Sequence, residues 1–334
     1  MSTTTDTPTD QPDLPTPTSD NPALAHRPHS WVSLLATLVG AIVIIAIVAQ
    51  GLVATLLVRG PDYLDNSGPL AGGGDRGDGS SRPGAPSLVE SVPVDGVQSL
   101  ELEVGSAELE LEFEDIDQAR LEVESRGWHW NQDWSLEVDG NTLIVSQDMW
   151  GWSFSGFAGT TEATLVLPQE LSGSLDASVW VSAGSIDIDE GSFGNVELEV
   201  AAGAISFEAA SSSMAVTVLS GEANIITDSV TDLLSVDVAS GIATVDVTNA
   251  ALNTISVEVN AGRADVAIEG AQPSNTTVEV NAGFAEVLLP DGEYALTGEA
   301  SAGDREINVR SDSSSRFDLD VEVSAGRAVV EYVD

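Results

Sequence analysis

The chain has 334 residues and a formal net charge of -43, because 54 acidic residues are balanced by only 11 basic ones, all of them arginine. A charge of this sign repels a phosphate backbone and argues against nucleic-acid binding. There is no cysteine and the aromatic content is 5%, which excludes disulfides and thiolate sites and predicts a core of small and β-branched residues.

The first part of the chain divides into a polar tail and an apolar run. Residues 1–30 are rich in Thr, Pro, Asp and Ser and predict a disordered tail. No charged residue occurs from Trp31 to Val58, a length that can cross a hydrocarbon core of roughly 30 Å. Residues 31–58 therefore predict one transmembrane helix, since a cleaved signal peptide would have a shorter apolar region and a basic start.

Residues 59–94 are rich in Gly, Pro and Asp and predict a flexible linker between the membrane and a folded domain. The few arginines beside the helix slightly favour a cytoplasmic C-terminus. Because large domains are translocated largely regardless of charge, we nevertheless expect an extracellular C-terminal domain in a single-pass protein of the cell membrane.

Residues 95–334 contain a repeat in which apolar and polar residues alternate, pass a glycine and resume one residue out of phase, most clearly in 255–268. Relative to the glycine, positions -5, -3, -1, +2, +4 and +6 are expected to face inward. The predicted corner glycines are Gly105, Gly184, Gly203, Gly221, Gly241, Gly262, Gly283, Gly303 and Gly326. The match to the pattern is weakest around Gly303.

From Gly184 onward the corners lie about 20 residues apart, which indicates a repeat architecture. The phase slip lets both strands face one interior, with glycine adopting a backbone conformation that other residues resist. We predict an all-β fold, a β-solenoid of roughly 20-residue coils with two strands per coil. The alternative is an antiparallel meander or sandwich with hairpins at the corners.

Residues 126–158 interrupt the repeat. Asp139-Gly140-Asn141 predicts a hairpin turn, which would bring two aromatic segments to the same end of the hairpin. Aromatic platforms bind sugars or partner side chains, although the same residues could simply cap the end of the solenoid. The candidate binding residues are Trp128, Trp130, Trp134, Trp150, Trp152 and Phe154.

The serial unit V-x-V-x-A-G-x-A-x-V, preceded by T-L-I-V at 142–145 and T-L-V-L-P at 164–168, resembles the bacterial putative adhesin family with a β-strand repeat. That family is related to the toast-rack domains of envelope-stress proteins, and the resemblance covers about residues 95–334. It implies a β-solenoid on a membrane anchor, with a role in adhesion or envelope signalling. It carries over no catalytic residue, and the tryptophan-rich hairpin is not part of the shared unit.

An outward row of acids is expected at position -4 of successive coils. It comprises Glu199, Thr217, Asp237, Glu258, Glu279, Glu299 and Glu322. Within it, Asp237, Glu258 and Glu279 are candidate oxygen ligands for a weakly bound divalent cation. The alternative is a solvated acidic face that discourages aggregation of sheet edges, and no other cofactor is expected.

His129 is the only histidine outside the tail, and without Lys or Cys neither a Ser-His-Asp triad nor a three-histidine zinc site can be assembled. We therefore expect a non-catalytic adhesion or scaffold module of the cell envelope that binds an envelope polysaccharide or protein. The alternative is an envelope-stress sensor or signalling partner of a membrane kinase, and a glycan-active enzyme is a remote third. The last coil lacks a polar cap, so the C-terminal solenoid edge is expected either to self-associate or to be protected only by its charge and shortness.

Overall fold

The computed structural model describes residues 88–126, 134–147 and 160–333, which form two twelve-stranded sheets packed around one apolar core. Besides the strands there is a short 3-10 turn at Gln169–Leu171. The strands are β1 (Leu88–Pro93), β2 (Ser99–Val104), β3 (Glu108–Glu114), β4 (Gln118–Arg126), β5 (Trp134–Asp139), β6 (Thr142–Gln147), β7 (Thr160–Pro168), β8 (Leu175–Val181), β9 (Ser185–Ile188), β10 (Ser192–Val200), β11 (Ala204–Phe207), β12 (Ala210–Val218), β13 (Glu222–Thr227), β14 (Leu233–Val238), β15 (Ile242–Ala250), β16 (Thr254–Val259), β17 (Arg263–Gly270), β18 (Asn275–Val280), β19 (Phe284–Leu289), β20 (Glu293–Thr297), β21 (Asp304–Ile307), β22 (Arg310–Ser311), β23 (Asp318–Val323) and β24 (Arg327–Tyr332).

Each coil places one strand in each sheet. Sheet 1 has the order β1-β4-β7-β3-β9-β11-β13-β15-β17-β19-β24-β21, and sheet 2 has the order β22-β20-β23-β18-β16-β14-β12-β10-β8-β2-β6-β5. From β8 to β19 every strand pairs in parallel with the equivalent strand of the next coil. Parallel neighbours joined by corners confirm the stacked coil and exclude the antiparallel meander.

Alternation places the apolar residues of each coil inside. In the coil of Gly262 the side chains at -5, -3, +2, +4 and +6 are buried, and they are Val257, Val259, Ala264, Val266 and Ile268. The prediction is wrong at position -1, because Ala261 is exposed. The chain already bends over the three residues that end at the glycine, so the alternation stops at -3 and resumes at +2.

The corner glycines are required for close backbone approach and not for an unusual φ, which corrects the sequence-based reason. Positive φ among the described glycines occurs elsewhere, for example at Gly140 and Gly173. A Cβ on Gly203 would overlap the carbonyl oxygen of Gly184 and lie 2.6 Å from Cγ1 of Val181. The corners therefore form a column in which each glycine packs directly on the corner of the previous coil.

The first corner is shifted by two residues from its predicted position. Val104 pairs with Val181, and Glu108 pairs with Ser185. This register places Ala107, and not Gly105, opposite Gly184, whose own Cβ would overlap the carbonyl oxygen of Ala107. Gly105 is therefore not a member of the glycine column, which begins at Gly184.

At the N-terminal end the coil order departs from the chain order. The coil of β6 and β7 lies outside the coil of β2 and β3. The hairpin of β5 and β6 turns at Gly140, whose φ of 63° suits the predicted turn. Strand β1 pairs antiparallel with β4 although it lies within the predicted linker 59–94, so Leu88–Pro93 is part of the sheet.

At the C-terminal end the last coil is inserted inside the array. Strands β23 and β24 lie between the coil of β18 and β19 and the coil of β20 and β21. The coil of Gly303 is therefore the terminal one, which explains its weak match to the pattern. Its inward position +2 holds Arg305, which donates to the carbonyl oxygens of Gly298 at 3.0 Å and Thr297 at 2.6 Å.

This arrangement corrects the expectation of an uncapped last coil. The terminal edge strands are β21, of four residues, and β22, of two residues. Short, charged edge strands discourage pairing with another sheet. The Tyr332 hydroxyl donates to Gly292 O at 2.6 Å and accepts from Arg310 N at 2.6 Å. These hydrogen bonds connect β24 to the terminal coil of β20, β21 and β22, which is called the capping coil below.

Candidate functional site

The outer face of sheet 2 carries the acidic row that the sequence predicts. Register pairs Asp237 with Glu258, and Glu258 with Glu279. The next member is Glu322, because β23 and not the strand leading to Glu299 lies beside β18. Neighbouring members of the row therefore stand about one strand spacing apart, roughly 4.8 Å.

This row does not form a convergent set of ligands. Among residues 88–126, 134–147 and 160–333 no three Asp, Glu or His side chains are grouped so that they could hold a metal ion. One oxygen of Glu258 accepts a hydrogen bond from Asn260 at 3.3 Å, and burial raises the pKa of Asp237. Partial burial of a carboxylate disfavours its charged form, and the weak cation site suggested for this row stays a prediction.

The tryptophan-rich candidate site is described only in part. Trp134 begins β5 and is buried, and its indole N–H has no hydrogen-bond acceptor among the described residues. The other five candidates, Trp128, Trp130, Trp150, Trp152 and Phe154, lie outside the described residues.

The strand ends that border these tryptophans lie together. Arg126, which ends β4, pairs with Thr160, which begins β7. Trp134 pairs with Gln147, which ends β6. The described residues on either side of segments 127–133 and 148–159 therefore lie at the paired ends of β4 and β7 and of β5 and β6, near the N-terminal end of the solenoid.

Gln147 shapes this edge. Its side chain is 3% exposed, and its Oε1 accepts hydrogen bonds from the backbone N–H groups of Gly105 and Ser106, both at 2.9 Å. At the next corner the equivalent N–H groups donate to the backbone of the preceding coil, as Ala183 does to Gly105 O at 2.7 Å. A side-chain amide thus accepts the corner N–H groups here, whereas backbone carbonyl oxygens accept them at the next corner.

The sequence-based reading missed Trp180. It occupies position -4 of the Gly184 coil, where other coils carry an acid, and it pairs with Glu103 on one side and Glu199 on the other. It is partly exposed on the outer face of sheet 2. The signal was present in the repeat itself, because an outward position that holds a tryptophan is the exception in an otherwise acidic and polar row.

A shallow groove crosses the outer face of sheet 2 beside Trp180. Glu101 and Ser178 line this groove and also line the smaller depression that Trp180 borders. The floor of the groove consists of backbone and small side chains such as Ser178 and Ala215, and Glu101 and Glu197 are in its lining. The groove runs across β6, β2, β8, β10, β12 and β14. At roughly 4.8 Å per strand this is about 24 Å long.

The outer face of sheet 1 divides by charge along the solenoid. Near the N-terminal end, burial and neighbouring acids raise the pKa of Asp187, and the same causes raise the pKa of Glu112. Towards the C-terminal end the face carries Arg263 and Arg327, which pair with acids at 2.6 Å. Opposite charge on neighbouring strands stabilises this end. At the other end Arg120 pairs with Glu114 and Glu122, while Asp187 and Glu112 have like-charged neighbours.

This fold defines a class of protein, a β-solenoid of two parallel sheets whose coils meet at a glycine column. A family model of that class, described as Toastrack DUF4097, matches residues 97–329. The chain belongs to this family.

Three solved structures are similar to the chain at low sequence identity. A "putative cell adhesion protein" from Clostridium sporogenes has 15% identity and a TM-score of 0.25, with 75% of this chain and 100% of that chain covered. "Putative adhesin" structures from Bacteroides fragilis and Parabacteroides distasonis have 12% and 14% identity, TM-scores of 0.40 and 0.41, and cover 74% of this chain and 96% of theirs. Because all three TM-scores are below 0.5, no function is transferred from these structures to the chain. A comparison with curated proteins finds no match.

Within the three described ranges no helix is long and apolar enough to cross a membrane. The predicted tail 1–30 and transmembrane helix 31–58 lie outside those ranges.

Proposed function

We propose that the chain is a non-catalytic adhesion or scaffold module of the cell envelope, held at the membrane by residues 31–58. The observation that carries this proposal is the continuous core. One apolar cluster runs from Val94 to Val330 through both sheets, and the inward positions of the central coils hold aliphatic side chains. Chemistry in the described domain is therefore displayed on outer faces and ends, as suits a protein that binds extended partners.

The N-terminal end of the solenoid is the proposed binding end. The described residues that flank both tryptophan-bearing segments lie there, as the pairs Arg126 with Thr160 and Trp134 with Gln147 indicate. Tryptophan offers a large rigid surface with one hydrogen-bond donor, which suits stacking on sugars and anchoring in protein interfaces. The proposed ligands are envelope polysaccharides or an envelope protein.

Co-sedimentation of the full-length protein with purified cell wall tests this role. We expect binding that is lost in the double variant Trp128→Ala, Trp130→Ala, whereas Phe284→Ala, which removes a partly exposed aromatic side chain from β19 in the C-terminal half of sheet 1, serves as the matched control. Wall binding retained by the double variant would disprove the choice of site. Recovery of a membrane kinase with the protein, without any wall binding, would favour the sensor role instead.

Membrane orientation has its own test. Because the chain has no cysteine, a single Ser313→Cys variant in the exposed C-terminal region carries a unique thiol. In intact cells we expect it to react with a membrane-impermeant maleimide, and a Ser2→Cys variant to be protected. The reverse pattern would place the domain in the cytoplasm.

A further inference from the structure

Trp180 lies among glutamates that have no cationic partner among the described residues. Glu103 and Glu199 flank it within its own row, while Glu101 and Glu197 flank Ser178 in the adjacent row. No ion pair among the described residues involves any of these four glutamates. Both the face of an indole ring and a carboxylate attract cations.

The groove beside Trp180 has a defined opposite wall. Strand β10 has an irregularity between Phe193 and Val196, where it leaves register with β8. Asp176 holds this bulge, because its Oδ1 accepts from the backbone N–H of Asn195 at 2.7 Å and from the Asn195 side chain at 3.1 Å. Bulges redirect side chains and are often found beside functional sites. This wall is therefore fixed before any ligand arrives.

We propose that the groove binds an extended basic segment of a partner protein, with one arginine side chain stacked on Trp180 and further cationic groups paired with Glu101 and Glu197. A groove of about 24 Å accommodates seven or eight residues of extended chain at roughly 3.3 Å per residue. The exposed Leu233, at the far end of the groove, provides an apolar contact for the remainder of the segment.

The charge of the site favours a basic protein segment over the other occupants. A neutral glycan would use the tryptophan but leave the surrounding glutamates unpaired. Among the described arginines Arg263, Arg310 and Arg327 are paired with acids, so a second copy of this chain would offer chiefly Arg316, a single exposed cation for several glutamates. This site lies on the outer face of sheet 2, and Trp180 is two strands from Ser146 of β6.

Fluorescence anisotropy of the full-length protein in detergent, with a fluorescein-labelled peptide of four Gly-Arg repeats, measures this binding. Trp180→Ala changes no charge, and we expect it to weaken binding roughly five- to thirtyfold. Trp180→Phe should recover part of that loss, because phenylalanine keeps an aromatic face. A peptide of four Gly-Glu repeats should not bind.

Matched charge variants separate the groove from the general acidity of the protein. Glu101→Gln with Glu197→Gln should weaken binding about tenfold or more at low salt. Glu279→Gln with Glu322→Gln removes the same charge from β18 and β23, two and three strands beyond the end of the groove, and should change binding less than about twofold. Circular dichroism on each variant checks that the sheets are intact.

Three results would overturn the proposal. Equal losses from the two double variants would mean that the peptide responds only to net charge. Unchanged binding in Trp180→Ala would remove the stacking residue from the site. Sedimentation showing a dimer that Trp180→Ala dissociates would mean that a second copy, and not a basic partner, occupies the groove.

Discussion

The glycine column makes a sharp prediction for Gly262→Ala in the centre of the solenoid. The new Cβ would overlap the carbonyl oxygen of Gly241 and lie 2.5 Å from Cγ1 of Val238. Overpacking of this kind costs about 1–3 kcal/mol, and the upper part of that range applies because a backbone carbonyl within two paired sheets cannot rotate away. Reduced freedom of the unfolded chain returns about 0.4–1 kcal/mol. The expected net loss is about 2 kcal/mol.

Hydrogen exchange followed by mass spectrometry suits this test, since stacked coils need not unfold in one step. A loss of about 2 kcal/mol corresponds to roughly thirtyfold faster exchange in β14 to β19. Gly173→Ala is the control, because Gly173 has a φ of 87° and open space around it, so it reports only the cost of backbone conformation. If Gly262→Ala exchanges no faster than the unmodified protein, the close-approach explanation of the corner is wrong.

Three further predictions concern other parts of the fold. Gln147→Ala leaves the N–H of Gly105 without its acceptor, and we expect the urea midpoint to fall by the equivalent of about 1–3 kcal/mol, whereas an unchanged midpoint would contradict the capping role. Burial raises the pKa of Asp237, so its carboxylate destabilises the folded state at high pH: this free-energy penalty is absent below the pKa of the unfolded chain and grows to its full size as pH rises through the folded pKa. Asp237→Asn should therefore raise the urea midpoint at pH 7 but not at pH 3. An equal rise at both pH values would refute this assignment. Tyr332→Phe removes the hydrogen bond to Gly292 and should speed hydrogen exchange in the capping coil by about tenfold, with no change in the central coils.

Much of the fold could be predicted from local pattern. Two-residue alternation, a glycine at each corner and a period near 20 residues predict parallel coils because they occur in every copy. The row of Asp237, Glu258 and Glu279 followed from the same periodicity, and the register confirms it. The hairpin at Gly140 was predicted from its turn residues, and β5 and β6 confirm it.

The predictions that failed concern neighbours that are distant in sequence. Gly105 has the local pattern of a corner, yet cross-strand register assigns that position to Ala107. Glu299 should follow Glu279 by chain order, but β23 takes the place beside β18. The energy of strand pairing depends on which strand is adjacent in space. Coils that are consecutive in the chain are usually neighbours in space, but the local sequence does not require it.

The candidate sites show the same division. Trp180 could have been recognised from the sequence, as the one tryptophan at an outward position of the repeat. Its groove could not, because it depends on small side chains from neighbouring coils and on a bulge held by Asp176. The tryptophan-rich binding end and the membrane anchor stay predictions.

The sequence by itself determined the acidic character, the parallel two-strand coil and the position of its corners from Gly184 onward, since each of these repeats locally. Only the tertiary structure decided why glycine stands at the corner, which coil closes each end and where the outer face is grooved. The reason is physical: alternation selects the buried face of a strand, whereas close approach, capping and surface shape depend on atoms contributed by other coils. In the corner at Gly262 the decisive atom is the carbonyl oxygen of Gly241, one coil earlier in the chain.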